Sequence, residues 1–215
     1  MKLKLKKISK PQHLDVVSRV SWSPNNVLYS LSDDKTVLTW DLNGEYVNKF
    51  QDLDGYYTCL EWGPNLKSGS ELLALGSSDG QLKLVNKNGK TDKVLNEAHS
   101  NAILCIKWTM DGNGLATSGE DGQVKIWSRQ AVLRANLAQC NSPVFAIAWS
   151  YDENYLLYSN DKNIFIKPVL KGGLKTISWK AHDEIVLCVD WSAASKLIVS
   201  GGEDRKFKVS KALII

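Results

Sequence analysis

Absences narrow this 215-residue chain before any pattern is read. No stretch approaches the ~18 consecutive apolar residues of a membrane-spanning helix. The opening MKLKLKKISK has no apolar core of a secretory leader, so an intracellular, soluble chain is expected. Cysteine is scarce: four residues, at 59, 105, 140 and 188, with no C-x-x-C pair, which suits a reducing compartment. Histidine is scarcer still, with three, and a metal site needs three or four ligands around one point. Neither G-x-x-x-x-G-K nor a strand-linked G-x-G-x-x-G occurs, so no phosphate-cradling loop is expected. Nor does one sign of charge dominate. Twenty-seven basic against 23 acidic residues leave +4, too little to require a nucleic-acid partner. The remaining balance, 43% hydrophobic and 23% charged, is that of an ordinary globular protein of one or two domains.

What is present centres on Leu115 to Trp127, LATSGEDGQVKIW. Two apolar runs flank Gly119-Glu120-Asp121-Gly122, and Asp-Gly between such runs predicts a hairpin because glycine supplies positive φ. His99, Thr117, Asp121 and Trp127 have the types and spacing of a buried relay. Asp121 accepts from His99, the imidazole meets the Thr117 hydroxyl, and the hydroxyl meets the Trp127 indole N–H. Every donor then has an acceptor, the condition for burying polar groups at tolerable cost.

The pattern recurs. Trp22, Trp62, Trp108, Trp149 and Trp191 are spaced by 40, 46, 41 and 42 residues, and each ends a short apolar strand. A turn aspartate follows each, at Asp34, Asp79, Asp121, Asp161 and Asp204, and His13, His99 and His182 stand nine residues before their tryptophans. A period of roughly 40–45 residues with four strand-like segments is the signature of a WD-repeat β-propeller, a family the chain resembles along nearly its whole length. The expected fold is therefore all-β: about five four-stranded blades, the last incomplete, forming an open arc of a larger, seven-bladed propeller.

As one propeller region over residues 1–215, the blades fall at about 13–50, 53–96, 99–138, 140–180 and 182–209. Residues 2–8 alternate Lys and Leu as an outer strand, and residues 210–215 diverge from the repeat. Blade one carries a complete relay, His13, Ser30, Asp34 and Trp40; blade three carries His99, Thr117, Asp121 and Trp127. Blade five keeps His182, Ser200 and Asp204, but Ser210 stands where the tryptophan belongs. In blade two, Leu53, Leu75 and Val85 take the histidine, hydroxyl and tryptophan places, and in blade four Cys140, Leu157 and Lys167 do so. Replacing all partners by apolar groups is nearly neutral, whereas removing one is costly. Pro64–Glu71 is the longest insertion within a blade.

Adjacent acids such as Glu120-Asp121 invite an acid–base reading, yet neighbours in a turn diverge, and the histidines point into separate blades. No catalytic constellation, metal site, cofactor site or small-molecule substrate is expected. Cys59, Cys105 and Cys188 each precede a strand tryptophan by three residues, which marks them as equivalent packing positions. Of the eight tryptophans, five anchor strands and two belong to relays; Trp179, on an outer strand, is a weak hint of a contact surface. Lys2, Lys4, Lys6, Lys7 and Lys10 also permit a nuclear-localisation or membrane-surface reading.

A narrower resemblance rests on GEDGQVKIWS (119–128), LRANLAQCNSPVFAIAW (133–149), IFIKPVLKGGLKTISWKAHDEIVLCVDW (164–191) and SGGEDRKFKV (200–209). These segments resemble the amino-terminal propeller of the intraflagellar transport protein 80 family. The Ile166-Lys167-Pro168 break and Trp179-Lys180-Ala181-His182-Asp183 are not required by the generic repeat. The resemblance implies a subunit of the ciliary transport complex B, acting in cilium assembly, with other subunits as partners. It places the chain in the cytoplasm and cilium, at the basal body and axoneme. Members of that family carry two propellers and a helical tail, and from Ser210 onward the likeness ends, which implies a truncated form. The alternatives from other classes are a WD-repeat adaptor of another complex and a basic-surface nucleic-acid-binding propeller. The second is disfavoured because Lys and Arg are spread over all blades.

Overall fold

A computed structural model describes residues 12–64, 71–169, 175–192 and 194–211. Each repeat folds as one antiparallel meander. Blade one is β1 (Val17–Trp22), β2 (Leu28–Ser32), β3 (Thr36–Trp40) and β4 (Tyr46–Asp52). Blade two is β5 (Tyr57–Trp62), β6 (Leu72–Ser77), β7 (Leu82–Asn86) and β8 (Thr91–Leu95). Blade three comprises β9 (Ile103–Trp108), β10 (Gly114–Gly119), β11 (Gln123–Ser128) and β12 (Leu133–Gln139). Blade four comprises β13 (Ile147–Trp149), β14 (Tyr155–Asn160), β15 (Asn163–Pro168) and β16 (Ile177–Lys180). Blade five has three strands among the described residues: β17 (Val186–Trp191), β18 (Leu197–Gly202) and β19 (Phe207–Lys211). The Lys/Leu alternation of residues 2–8, residues 65–70 of the insertion and the tail beyond Lys211 lie outside the described residues.

In blade two the second and third strands are buried on both faces, so they read as continuous apolar runs, LLAL and LKLV. One face meets the preceding blade and the other the following blade. Between blades two and three, Leu82, Leu84 and Ala74 pack against Ile103, Ile106 and Leu115. Between blades three and four, Val124 and Ile126 pack against Val144, Ile147 and Leu156. Fully burying each such aliphatic side chain contributes about 1.5–3 kcal/mol, so most of the stability lies in contacts between neighbours.

Backbone bonds fix how each blade sits on the last. The residue at the histidine position donates its N–H to a turn carbonyl of the preceding blade. Leu53 donates to Lys35, His99 to Gly80, Cys140 to Gly122 and His182 to Lys162, at 2.8–3.1 Å. The turn residues approach so closely that a Cβ on Gly80, at φ +87°, would lie 2.1 Å from the His99 carbonyl oxygen. Glycine there meets both the dihedral and the approach.

The arc is open. Trp62, Trp108 and Trp191 are each 6% exposed, whereas Trp22, at the same place in blade one, is 54% exposed. At the other end, Val37, Leu82, Val124 and Ile164 are buried in blades one to four, while their equivalent Phe207 is 78% exposed. Among the described residues no blade covers the outer flank of blade one or of blade five.

Candidate functional site

The hairpin linking the second and third strands brings the relay residues together. In blade three, Thr117 on β10 pairs across the sheet with Lys125, and Trp127 on β11 with Leu115, which aims both polar side chains at the preceding blade. The Trp127 indole N–H donates to Thr117 Oγ1 at 2.8 Å, and that oxygen is 2.7 Å from His99 Nε2. His99 Nδ1 is 2.9 Å from Asp121 Oδ1. The indole N–H can only donate, so Thr117 Oγ1 accepts from it. Burial holds the His99 pKa below the ordinary value, against the pull of Asp121, which favours the neutral imidazole. The Thr117 hydroxyl then donates to Nε2, and Nδ1–H donates to the carboxylate. For Asp121, burial acts upward but is outweighed by His99 and the N–H groups of Gln123 and Ser100, which keep the carboxyl low.

Blade one repeats the arrangement: His13 Nδ1 to Asp34 at 2.9 Å, Nε2 to Ser30 Oγ at 2.7 Å, and Trp40 Nε1 to Ser30 Oγ at 2.7 Å. Burial of Asp34 is overcome by the Thr36 hydroxyl, the Leu14 N–H and His13, so its pKa falls far below the carboxylate range. Blade five holds His182 Nδ1 at 2.9 Å from Asp204 and Nε2 at 2.9 Å from Ser200 Oγ. Asp204 is lowered to about 2, its burial offset by His182 and the N–H groups of Asp183 and Lys206. Ser210 pairs with Ile198 where Trp127 pairs with Leu115, so this network stops at the hydroxyl.

Blade two replaces the set with the buried Leu53, Leu75 and Val85. Polar groups missed by the sequence reading lie beside them. Lys83, buried at the position of Lys125, pairs with Asp54 at 3.0 Å, and the Tyr57 hydroxyl donates to Asp54 at 2.9 Å. The only sequence cue was an aromatic and a lysine at strand positions that elsewhere vary.

Blade four requires a correction. Its hairpin turns on two residues, Asp161 and Lys162, where blade three uses three, so Tyr158 stands at the Thr117 position. Counting back from Asp161 pointed to Leu157, which instead faces blade five. One residue fewer in a turn slips every side chain to the other face. Tyr158 stacks on Phe165 at 5.0 Å and packs toward blade three, and burial, then Cys140, push its pKa up to about 12.

Elsewhere the surface is plainer. Trp179 on β16 is partly buried, packed on the apolar cluster between blades four and five. At the opposite end of the inner strands a shallow depression of about 430 Å³ is lined by Trp22, Glu61, Trp62, Trp108 and Met110. Lys107 pairs with Glu61 at 3.1 Å above it. The four cysteines are free thiols; Cys59 is buried and Cys188 exposed at the open end. Among the described residues no three His, Cys, Asp or Glu side chains gather as a metal-ligand set. No described helix is long and apolar enough to cross a membrane.

Five meandering blades that repeat one interface, with hairpins carrying Trp–Thr/Ser–His–Asp networks, define a WD-repeat propeller, and the chain belongs to that family. The model of the WD domain, G-beta repeat, matches residues 5–41 and 173–209, and that of the anaphase-promoting complex subunit 4 WD40 domain matches 66–152. Within the family it is similar to the intraflagellar transport protein 80 homologs of Rattus norvegicus and Mus musculus. It is 42% identical to each over 217 residues, covering 97% of this chain and 28% of the relative. The F-box-like/WD repeat-containing protein TBL1X of Mus musculus is 33% identical over 137 residues, covering 57% of this chain and 26% of that protein. The chain thus spans under a third of the length of these relatives. A fold of this class is typically a non-enzymatic scaffold that offers its faces and edges to protein partners.

Proposed function

We propose that this chain is a protein-interaction scaffold of the ciliary transport complex B, acting in cilium assembly, with other subunits of that complex as partners. The observation that carries the reading is 42% identity to the two intraflagellar transport protein 80 homologs over 97% of this chain. The TBL1X likeness covers 57% of it and supports a WD-repeat adaptor less well. On this reading the chain is found in the cytoplasm and the cilium, at the basal body and axoneme, and residues 1–215 form one propeller region. The three histidine networks are structural, joining each hairpin to its inner strand, and the protein carries out no catalysis. Expression of a tagged chain in ciliated cells tests it. Co-purification with complex B subunits and ciliary signal are expected. Exclusive nuclear accumulation with salt-sensitive nucleic-acid binding would overturn it in favour of a basic-surface propeller.

A further inference from the structure

We infer that Asn88 is a site of spontaneous covalent modification, its side-chain amide converting to aspartate and isoaspartate with loss of ammonia. The chemistry is open to an Asn-Gly pair because glycine has no side chain to hinder its nitrogen as it approaches the preceding carboxamide. That nitrogen gives up its proton to water and attacks Asn Cγ; the Cγ–Nδ2 bond breaks and ammonia leaves. Water then opens the five-membered imide. Cleavage of the new bond at Cγ leaves aspartate, and cleavage at the former backbone carbonyl leaves isoaspartate, with one methylene added to the main chain. One amide and one water give one carboxylate and one ammonium.

The chain holds three such pairs, at 43–44, 88–89 and 113–114, and the fold gives each different surroundings. Asn113 is held most firmly. Its Nδ2 donates to Asp111 at 2.9 Å, the Gly114 N–H donates to Thr109 Oγ1 at 3.0 Å, and Gly114 is buried at the start of β10. The other two pairs occupy the same turn, between the third and fourth strands of blades one and two. Gly44 and Gly89 hold φ 77° and 78°, and their N–H groups donate to the carbonyls of Asp41 and Asn86 at 3.0 and 2.9 Å. Both asparagines are exposed.

What differs is the residue that opens the turn. In blade one the Asp41 carboxylate takes the Asn43 N–H at 2.9 Å and the Asn43 side-chain amide at 3.3 Å. In blade two Asn86 Oδ1 takes the Asn88 N–H at 2.9 Å, but the Asn88 carboxamide has no partner among the described residues. It is therefore free to turn toward Gly89 whenever the turn opens, and exposed turns open at small cost. Charge acts in the same direction. Lys87 and Lys90, both exposed, favour the negative nitrogen that attacks at Gly89, whereas Asp41 and Glu45 oppose it at Gly44. The product also meets a tight contact: a Cβ on Gly89 would lie 3.1 Å from the Phe50 carbonyl oxygen of blade one, so an added methylene here disturbs the seat of β8.

Incubation of the purified 215-residue chain at mildly alkaline pH tests this, read by peptide mass spectrometry with a protease that spares lysine. Asn88 should gain one mass unit at least about three times as fast as Asn43, where a bonded amide and two carboxylates slow the attack. Asn113 should be slowest, and amide exchange in Thr91–Leu95 should quicken as Asn88 converts. Exchanging the turn openers gives a second measurement: Asn86→Asp should slow Asn88, and Asp41→Asn should speed Asn43. In urea the three rates should converge. Conversion at Asn88 no faster than at Asn43 would overturn the proposal. So would an order of rates that survives unfolding, or turn-opener variants that leave both rates unchanged.

Discussion

Blades two and three share a strand plan, an inner tryptophan and a common interface, yet they fill the space behind the hairpin with opposite chemistry. Blade three seats His99, Thr117 and Trp127 in a hydrogen-bonded line ending on Asp121. Blade two seats Leu53, Leu75 and Val85 there, all buried, and its turn residue Asp79 accepts from the Ser77 hydroxyl instead. Both solutions leave nothing polar stranded at those positions. The repeat thus demands a consistent set, not a particular residue, because the costly state is a buried donor or acceptor without its partner. Blade five shows an intermediate case: with Ser210 at the tryptophan position the network is shorter, but His182, Ser200 and Asp204 remain joined.

The comparison breaks most severely at Thr117→Val. The substitution is close in shape but removes the one oxygen that both His99 Nε2 and the Trp127 N–H use. Two buried groups lose their partner at once, so a loss of about 2–4 kcal/mol is expected. It should appear as a lowered urea midpoint. Leu75→Val at the equivalent place in blade two removes no hydrogen bond, and its cost should be set by packing alone.

Trp127→Phe comes next. It keeps much of the ring but takes away the N–H, leaving Thr117 still bonded to His99, so a loss of about 1–3 kcal/mol is expected. The double variant Thr117→Val with Trp127→Phe should cost less than the sum, because the two share one bond; strict additivity in urea denaturation would show that the groups act separately.

How far the sequence carried these assignments depends on what sets each position. The five inner tryptophans, the turn aspartates and the relays of blades one and three were legible because each is fixed by distance along one chain. Leu157 was misplaced because loop length, not composition, sets register: blade four's turn is one residue shorter, which exchanges Tyr158 for Leu157 on the face toward blade three. The Lys83–Asp54–Tyr57 group was invisible for a different reason. Asp54 belongs to the loop before β5 and Lys83 to β7, and only the packing of the meander brings them to 3.0 Å. The backbone bonds between blades carry no side-chain signature at all, although the glycines at 80 and 122 mark where two of them approach.

Acid should also separate the two blades. The His99 pKa is held below its unfolded value near 6.5, so between the two values the unfolded chain binds more protons and stability falls as pH drops from about 6.5. Asp121 is depressed as well, and its contribution is lost in turn as pH falls from about 4 through its folded value. Amide hydrogen exchange at matched temperature should show β10 and β11 losing protection between pH 7 and 5, relative to β6 and β7. Equal losses in both blades would place the acid sensitivity elsewhere.

The smallest effect is expected at Val85, and it is the one that isolates the principle. Val85 occupies the Trp127 position, fully buried against Tyr29, Leu31 and Val37 of blade one. Val85→Ile adds one methylene to an apolar contact and touches no polar group, so a change below about 1.5 kcal/mol is expected, of either sign. Val85→Thr is nearly the same size but carries a hydroxyl into a pocket in which, of these three neighbours, only Tyr29 bears an oxygen. Its cost should exceed that of the isoleucine variant by about 1–3 kcal/mol, the penalty of a buried hydroxyl that gains no hydrogen bond. The two urea midpoints therefore separate volume from polarity at a single site. If threonine proves as mild as isoleucine, polarity is not what distinguishes the two blades, and the consistency rule drawn from blades two and three fails.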